Sequence, residues 1–280
     1  MNVAPPLPWR RPAGAVRAMP SPCEPGRVGT ELGERGWVLL PTMVSSELVN
    51  RLAAQLEALY LEQRSLQVRN GVGQGTDGTV HHLPCAGGAF LDFLEERLSH
   101  VWLEQFFQGP YILNTYGGVL NLPNDVSYVG GVHRDLRTFS GDVHLMVQLL
   151  VMLDDFTEDN GATYLLNGSH RLREKPSDEV FFRDAVRAVG PAGSVVMFNS
   201  NLWHAAGINR SSRPRRALTI VFTRPFVKQQ LDYPRALGYD RADSFSPTLR
   251  QLLGYNARVP ASLEEWYQPP ERRLYKRDQG

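Results

Sequence analysis

At 280 residues the chain is long enough to bury a full core as one β-rich domain with extensions. Thirty lysines and arginines against twenty-nine acids leave a formal charge of +1, which gives no global attraction to nucleic acid or to an acidic membrane surface. Two cysteines, Cys23 and Cys85, are too few for a disulfide framework and fit a reducing, cytoplasmic setting, and no segment has the apolar length of a membrane span.

Residues 1–28 are rich in proline and arginine and read as a flexible arm ahead of the globular part. Trp37-Val38-Leu39-Leu40, bounded by Gly36 and Pro41, predicts a short buried strand. Ser45 and Ser46 can cap a helix whose Leu48, Leu52, Leu56 and Leu59 recur at helical spacing. A glycine-rich loop from Gly71 to Gly78 follows, and Phe90, Leu94, Leu98 and Val101 predict a second amphipathic helix.

The middle of the chain changes to period two, as expected of a β-sandwich or barrel with flanking helices. Along Val143 to Leu153, one set of alternating positions is purely aliphatic and suits packing between layers. The other, His144, Met146, Gln148, Leu150 and Met152, suits a cavity that holds something partly polar. Asp159-Asn160-Gly161 and Gly168-Ser169 mark tight turns, and Ser194 to Phe198 and Ala217 to Phe222 predict later strands. Beyond Phe226, residues 228–280 are too apolar for a solvated tail. They are expected to fold back on the 29–227 domain as a lid or an interface.

His133-Arg134-Asp135 is followed far along the chain by Trp203-His204 and then by Arg215. Two imidazoles and a carboxylate can occupy one face of an Fe(II) octahedron and leave the other face for oxygen and a co-substrate. A planar guanidinium placed beyond the last ligand matches a carboxylate bidentately, so it could anchor a dicarboxylic co-substrate such as 2-oxoglutarate. Arg215 sits among Arg210, Arg213 and Arg216, a run that is ordinarily a solvated edge. Strand alternation nevertheless puts Arg215 and Ala217 on the face opposite Arg216 and Leu218. Gln148, Asn114 and Thr115 are further candidates for co-substrate contacts, and Phe139, His82 and Trp203 for substrate contacts.

These residues, taken in order from Glu31 to Phe226, resemble the phytanoyl-CoA dioxygenase family of Fe(II)/2-oxoglutarate oxygenases. The resemblance runs through Gly36 to Pro41, Gly131-Val132-His133-Arg134-Asp135, Asp159-Asn160-Gly161, Asn167-Gly168-Ser169-His170 and Trp203-His204 to Ser211, and reaches Arg215. It implies a double-stranded β-helix, a jelly-roll or cupin-like barrel with helices on one sheet. It further implies His133, Asp135 and His204 as iron ligands, Arg215 as partner of the 2-oxoglutarate carboxylate, and Fe(II), 2-oxoglutarate and O2 as cofactor and co-substrates. Asn167 stands where many relatives have proline, and Ala206 where a hydroxyl residue is common.

A carboxylate at Asp135 leaves no room for chloride, so hydroxylation of a small or medium-sized, partly polar metabolite is expected. Desaturation, epoxidation or ring formation by the same oxidant, and a catalytically inactive jelly-roll binding module, are the alternatives. Substrate choice is expected to lie with Gly71 to Pro84, the Asn124 to Gly130 loop and the last fifty or so residues, in a monomer or homodimer.

Overall fold

The computed structural model describes residues 25–96, 98, 100–124 and 130–279. Most of the expected N-terminal arm, with Cys23, and the centre of the Asn124–Gly130 loop lie outside these residues. Helix α1 (Pro25–Arg35) starts within the span expected to be arm. Gly36 then reverses the chain with φ of 82° and leads into strand β1 (Trp37–Leu40), which is buried throughout. In helix α2 (Ser46–Arg69), the Ser45 hydroxyl accepts the Leu48 N–H at 3.2 Å, and Leu48, Leu52 and Leu56 form the buried stripe.

Strand β2 (Thr79–Val80) precedes two short helices, α3 (Ala89–Glu95) and α4 (His100–Phe107), where the spacing of Phe90 to Val101 had predicted one. The break rotates the second helix, so that Trp102, Leu103, Phe106 and Phe107 are buried and Val101 faces solvent.

The larger sheet has six antiparallel strands in the order β1-β7-β4-β9-β3-β2, with β3 (Ile112–Asn121), β4 (Met146–Met152), β7 (Val195–Asn199) and β9 (Arg215–Thr223) at its centre. Strand β4 is shorter than the predicted run because residues 143–145 form a turn, closed by Leu145 N–H to the Val143 carbonyl at 2.8 Å. Val143 is exposed. Within β4 the faces divide as alternation requires: Val147, Leu149 and Val151 join Leu218 and Ile220 in the core with α2, α3 and α4, while Met146, Gln148 and Leu150 face the other way.

Across that second face lies a smaller sheet, β6-β5-β8, made of β5 (Tyr164–Leu165), β6 (Val186–Arg187) and β8 (His204–Ala205). Helix α5 (Asp178–Asp184) lies beside it, with Ser177 as its cap. His133 extends this sheet, because its backbone exchanges both hydrogen bonds with His204, at 3.0 and 2.9 Å.

The C-terminal segment carries α6 (Tyr233–Leu237), α7 (Pro247–Leu252) and α8 (Leu263–Trp266). Tyr233, Phe245, Leu249, Leu252, Leu253 and Tyr255 are buried in the helical core, whereas Trp266 and Tyr267, expected to fold back with them, are exposed. Asn167 has its own structural task, since its side-chain oxygen accepts from Trp37 Nε1 at 2.7 Å and Arg35 Nε at 3.4 Å. Among the described residues no helix is long and apolar enough to cross a membrane.

Candidate metal centre

The pairing of His133 with His204 places two imidazoles side by side on neighbouring strands, with ring centroids 4.2 Å apart. Asp135 turns its carboxylate to both. Its Oδ1 lies 3.9 Å from His133 Nε2 and 3.8 Å from His204 Nε2, beyond hydrogen-bonding distance, and one potential ligand atom from each of the three residues lies within 4.8 Å of the others.

Each imidazole is oriented through its far nitrogen. His133 Nδ1 contacts the Gly131 carbonyl at 2.8 Å, and His204 Nδ1 contacts the Leu202 carbonyl at 3.0 Å. A carbonyl only accepts, so both Nδ1 atoms carry the proton and both Nε2 lone pairs are left facing Asp135. Burial pulls the His204 pKa down to about 4, with Asp135 raising it, His133 lowering it and the Leu202 carbonyl raising it. His204 is therefore neutral near pH 7, as metal ligation requires. Asp135 Oδ2 is buried without a hydrogen-bond partner among the described residues, which is costly unless a cation completes it. Two neutral nitrogens and a carboxylate oxygen, with one carboxylate oxygen unsatisfied, fit a divalent metal of the Fe(II) class.

The backbone before His204 is fixed by Ser169, whose hydroxyl donates to the Leu166 carbonyl at 2.7 Å and accepts the Trp203 N–H at 3.0 Å. The Phe198 ring lies edge-on to His204 at 4.9 Å.

A cavity of about 360 Å³ opens from this cluster between the two sheets, and Arg215 and Ala217 line it while Arg216 points outward. Arg216 pairs with Asp154 at 2.5 Å and with Glu57 at 3.0 Å. Arg215 is 3 % exposed, has no ion pair among the described residues, and leaves Nε and Nη1 without hydrogen bonds. Its guanidinium lies 3.9 Å over the Phe156 ring. Burial lowers its pKa to about 9, partly offset by Asp154 and reinforced by Arg187, so it stays charged at neutral pH. A buried cation with open donors on a cavity wall is a receptor for an anion.

Gln148, 6 % exposed, and Thr115 also line the cavity. Asn114 does not: a bulge between Leu113 and Thr115 rotates β3, and the Asn114 amide donates to the Lys228 carbonyl at 2.9 Å. The expected substrate contacts shift as well. Phe139 and Trp203 lie outside the cavity and flank the Arg134 guanidinium, at 5.6 and 5.1 Å. His82 turns to the Tyr233 hydroxyl at 3.2 Å, and His81 lines the cavity in its place.

Two features had no functional reading in the sequence. Asn209 organises the turn before Arg215, donating to the Asn121 and Arg213 carbonyls, each at 2.7 Å, while its oxygen accepts from the Ser211 N–H and hydroxyl. Gly117 and Gly118 let β3 approach its neighbours closely, because a Cβ at Gly118 would strike Leu56 of α2 and one at Gly117 would crowd the Val80 carbonyl. Paired glycines inside an apolar strand were the available signal.

The family model described as phytanoyl-CoA dioxygenase matches residues 32–217, more than half of the chain, including the three candidate donors and Arg215. The chain belongs to this family. Among curated relatives, "Uncharacterized protein Mb1539" of Mycobacterium bovis is 45% identical over 149 residues, covering 53% of this chain. The chain spans about half that relative's length, 54%. An "Iron/alpha-ketoglutarate-dependent dioxygenase ausU" of Aspergillus calidoustus is 26% identical, covering 82% of this chain and 80% of that protein. Among solved structures, HygX from Streptomyces hygroscopicus, crystallised with nickel and 2-oxoglutarate, superposes with a TM-score of 0.58 over 72% of this chain and 88% of its own, at 16% identity. That likeness assigns the two sheets to the jelly-roll architecture of the family.

Proposed function

We propose that the chain is a non-haem Fe(II)/2-oxoglutarate-dependent dioxygenase that hydroxylates a C–H bond of a small or medium-sized metabolite and releases succinate and carbon dioxide. One observation carries this reading: the buried Arg215, without an ion pair among the described residues, opens onto the same cavity as the His133, Asp135 and His204 donors. Family membership and the name of the fungal relative support it.

His133, Asp135 and His204 would hold the iron, and Arg215 would bind the distal carboxylate of 2-oxoglutarate through its open donors. Iron bound there with 2-oxoglutarate and O2 supplies the oxidising power for C–H hydroxylation. The chain's own part is positioning and exclusion of water. Gln148 and Thr115 offer hydrogen bonds from the larger sheet, and Met146, Leu150, Phe198 and Val221 give the cavity apolar walls. Asp135, a carboxylate where a halogenase would need space for chloride, favours hydroxylation.

Anaerobic titration of the reconstituted protein with Fe(II) and 2-oxoglutarate tests the reading. A visible charge-transfer band, and succinate formation once air is admitted, are expected. Well-folded protein that gives neither would leave the jelly roll as a binding module without catalysis.

A further inference from the structure

We propose that the mouth of the cavity recognises an anionic group on the substrate through Arg137 and His81, so that the substrate is an organic acid with an apolar body. This inference rests on the reading above and names the substrate class of the same site.

Charge balance is the first argument. In the loaded site, the two negative charges of 2-oxoglutarate and the one on Asp135 are matched by the two positive charges of the metal and the one on Arg215. Arg134 and Arg137 line the same cavity, and no described carboxylate other than Asp135 lines it with them. The filled cavity therefore keeps two positive charges at its mouth, which favour an anion. Arg134 is engaged, donating to the Arg173 carbonyl at 3.1 Å and stacking on Trp203. Arg137 pairs with no acid among the described residues. Its backbone is nonetheless fixed, because the preceding Leu136 is buried and donates its N–H to the Ser200 carbonyl at 3.0 Å.

The second argument is the way His81 is held. Gln63 from α2 grips its backbone in both directions: the amide oxygen accepts the His81 N–H at 2.8 Å, and the amide nitrogen donates to the His81 carbonyl at 2.7 Å. The next residue, His82, adopts a left-handed φ of 56° and is braced by the Tyr233 hydroxyl. A non-glycine residue in that region is unfavourable and persists only where its surroundings impose it. The outcome is a partly buried His81 imidazole at the cavity wall with no hydrogen bond among the described residues, ready to donate to an incoming oxygen. Val80, Val119 and Val221 lie beside these polar groups and suit the apolar remainder of such a substrate.

The test uses the full chain loaded with Ni(II), which accepts the same donors without turnover, and saturated with 2-oxoglutarate so that Arg215 is occupied. The probes are cyclohexanecarboxylate and 1-naphthoate, each against its methyl ester, with binding followed by saturation-transfer NMR. Each acid is expected to bind about tenfold more tightly than its ester. R137Q should abolish that preference, R137K should restore part of it, and H81A should reduce it. Equal binding of acid and ester, binding of neither, or an undiminished preference in R137Q overturns the proposal. Calorimetry of 2-oxoglutarate on the unsubstituted protein separates the two readings. If 2-oxoglutarate binds and the acids show no preference, only the substrate class is wrong; if 2-oxoglutarate fails to bind, the co-substrate assignment falls first.

Discussion

At the closed end of the cavity, Arg215 and Ala217 project from a nine-residue strand paired along its length with β3 on one side and, from Ala217 onward, with β4 on the other. At the mouth, His81 sits one residue beyond a two-residue strand and is held by side chains from α2 and, through His82, from the C-terminal extension. Sheet register therefore sets the geometry of the closed end, and borrowed contacts set that of the mouth. Elements far from the metal can change the mouth without disturbing the two sheets, which suits a shared co-substrate at one end and a private substrate at the other.

The largest expected effect breaks the closed end outright. Asp135→Ala removes the only carboxylate among the three donors, and both iron retention and turnover should be lost. Metal analysis after desalting measures this, and a variant that still couples 2-oxoglutarate consumption to product hydroxylation would overturn the ligand assignment.

Arg215→Met sharpens the contrast, because function and stability should move in opposite directions. The Kd for 2-oxoglutarate should rise by about a hundredfold or more, while the ligand-free protein gains roughly 1 kcal/mol from losing an uncompensated buried charge. Calorimetry reads both, and a lower unfolding temperature in the ligand-free variant would mean that Arg215 is already satisfied.

Asn209→Ala should cost about 2–3 kcal/mol, since two carbonyls lose their donor and the turn loses its brace, and 2-oxoglutarate affinity should weaken with it. Chemical denaturation reads the first effect; unchanged affinity would separate the turn from the placement of Arg215.

Tyr233→Phe is the mildest. Removing the hydroxyl that accepts the Tyr116 N–H at 3.2 Å and meets His82 should cost about 1 kcal/mol. Hydrogen exchange should quicken around residues 79–83 while 2-oxoglutarate affinity stays the same. Equal quickening at β9 would show that the two ends are not independent.

Much of the closed end was legible because alternation along a regular strand is a strong constraint. The cavity face of β4 and the inward turn of Arg215 both followed from counting by two, and the capped helix after Ser45 followed from leucine spacing. Counting failed where the backbone left regularity. At the bulge between Leu113 and Thr115, counting could not choose between the adjacent Asn114 and Thr115, of which only Thr115 lines the cavity, and at the left-handed His82 the ring turns to Tyr233 while His81 lines the cavity. Phe139 and Trp203 misled for another reason. An aromatic near a metal-binding motif reads as a cavity wall, and nothing local in the sequence said that Arg134 would lie against both rings. The bracing by Tyr233 joins residues more than a hundred positions apart, which periodicity does not reach.

Arg215 and Arg216 are chemically identical neighbours with opposite fates, one facing the cavity and the other tied to Asp154 and Glu57. The alternation of β9, anchored by Leu218 and Ile220 in the core, decides which of them turns inward. A one-residue slip of β9 would exchange them, pulling Arg216 off its two acids and presenting the co-substrate with a displaced guanidinium, and the same slip would turn Leu218 and Ile220 out of the core.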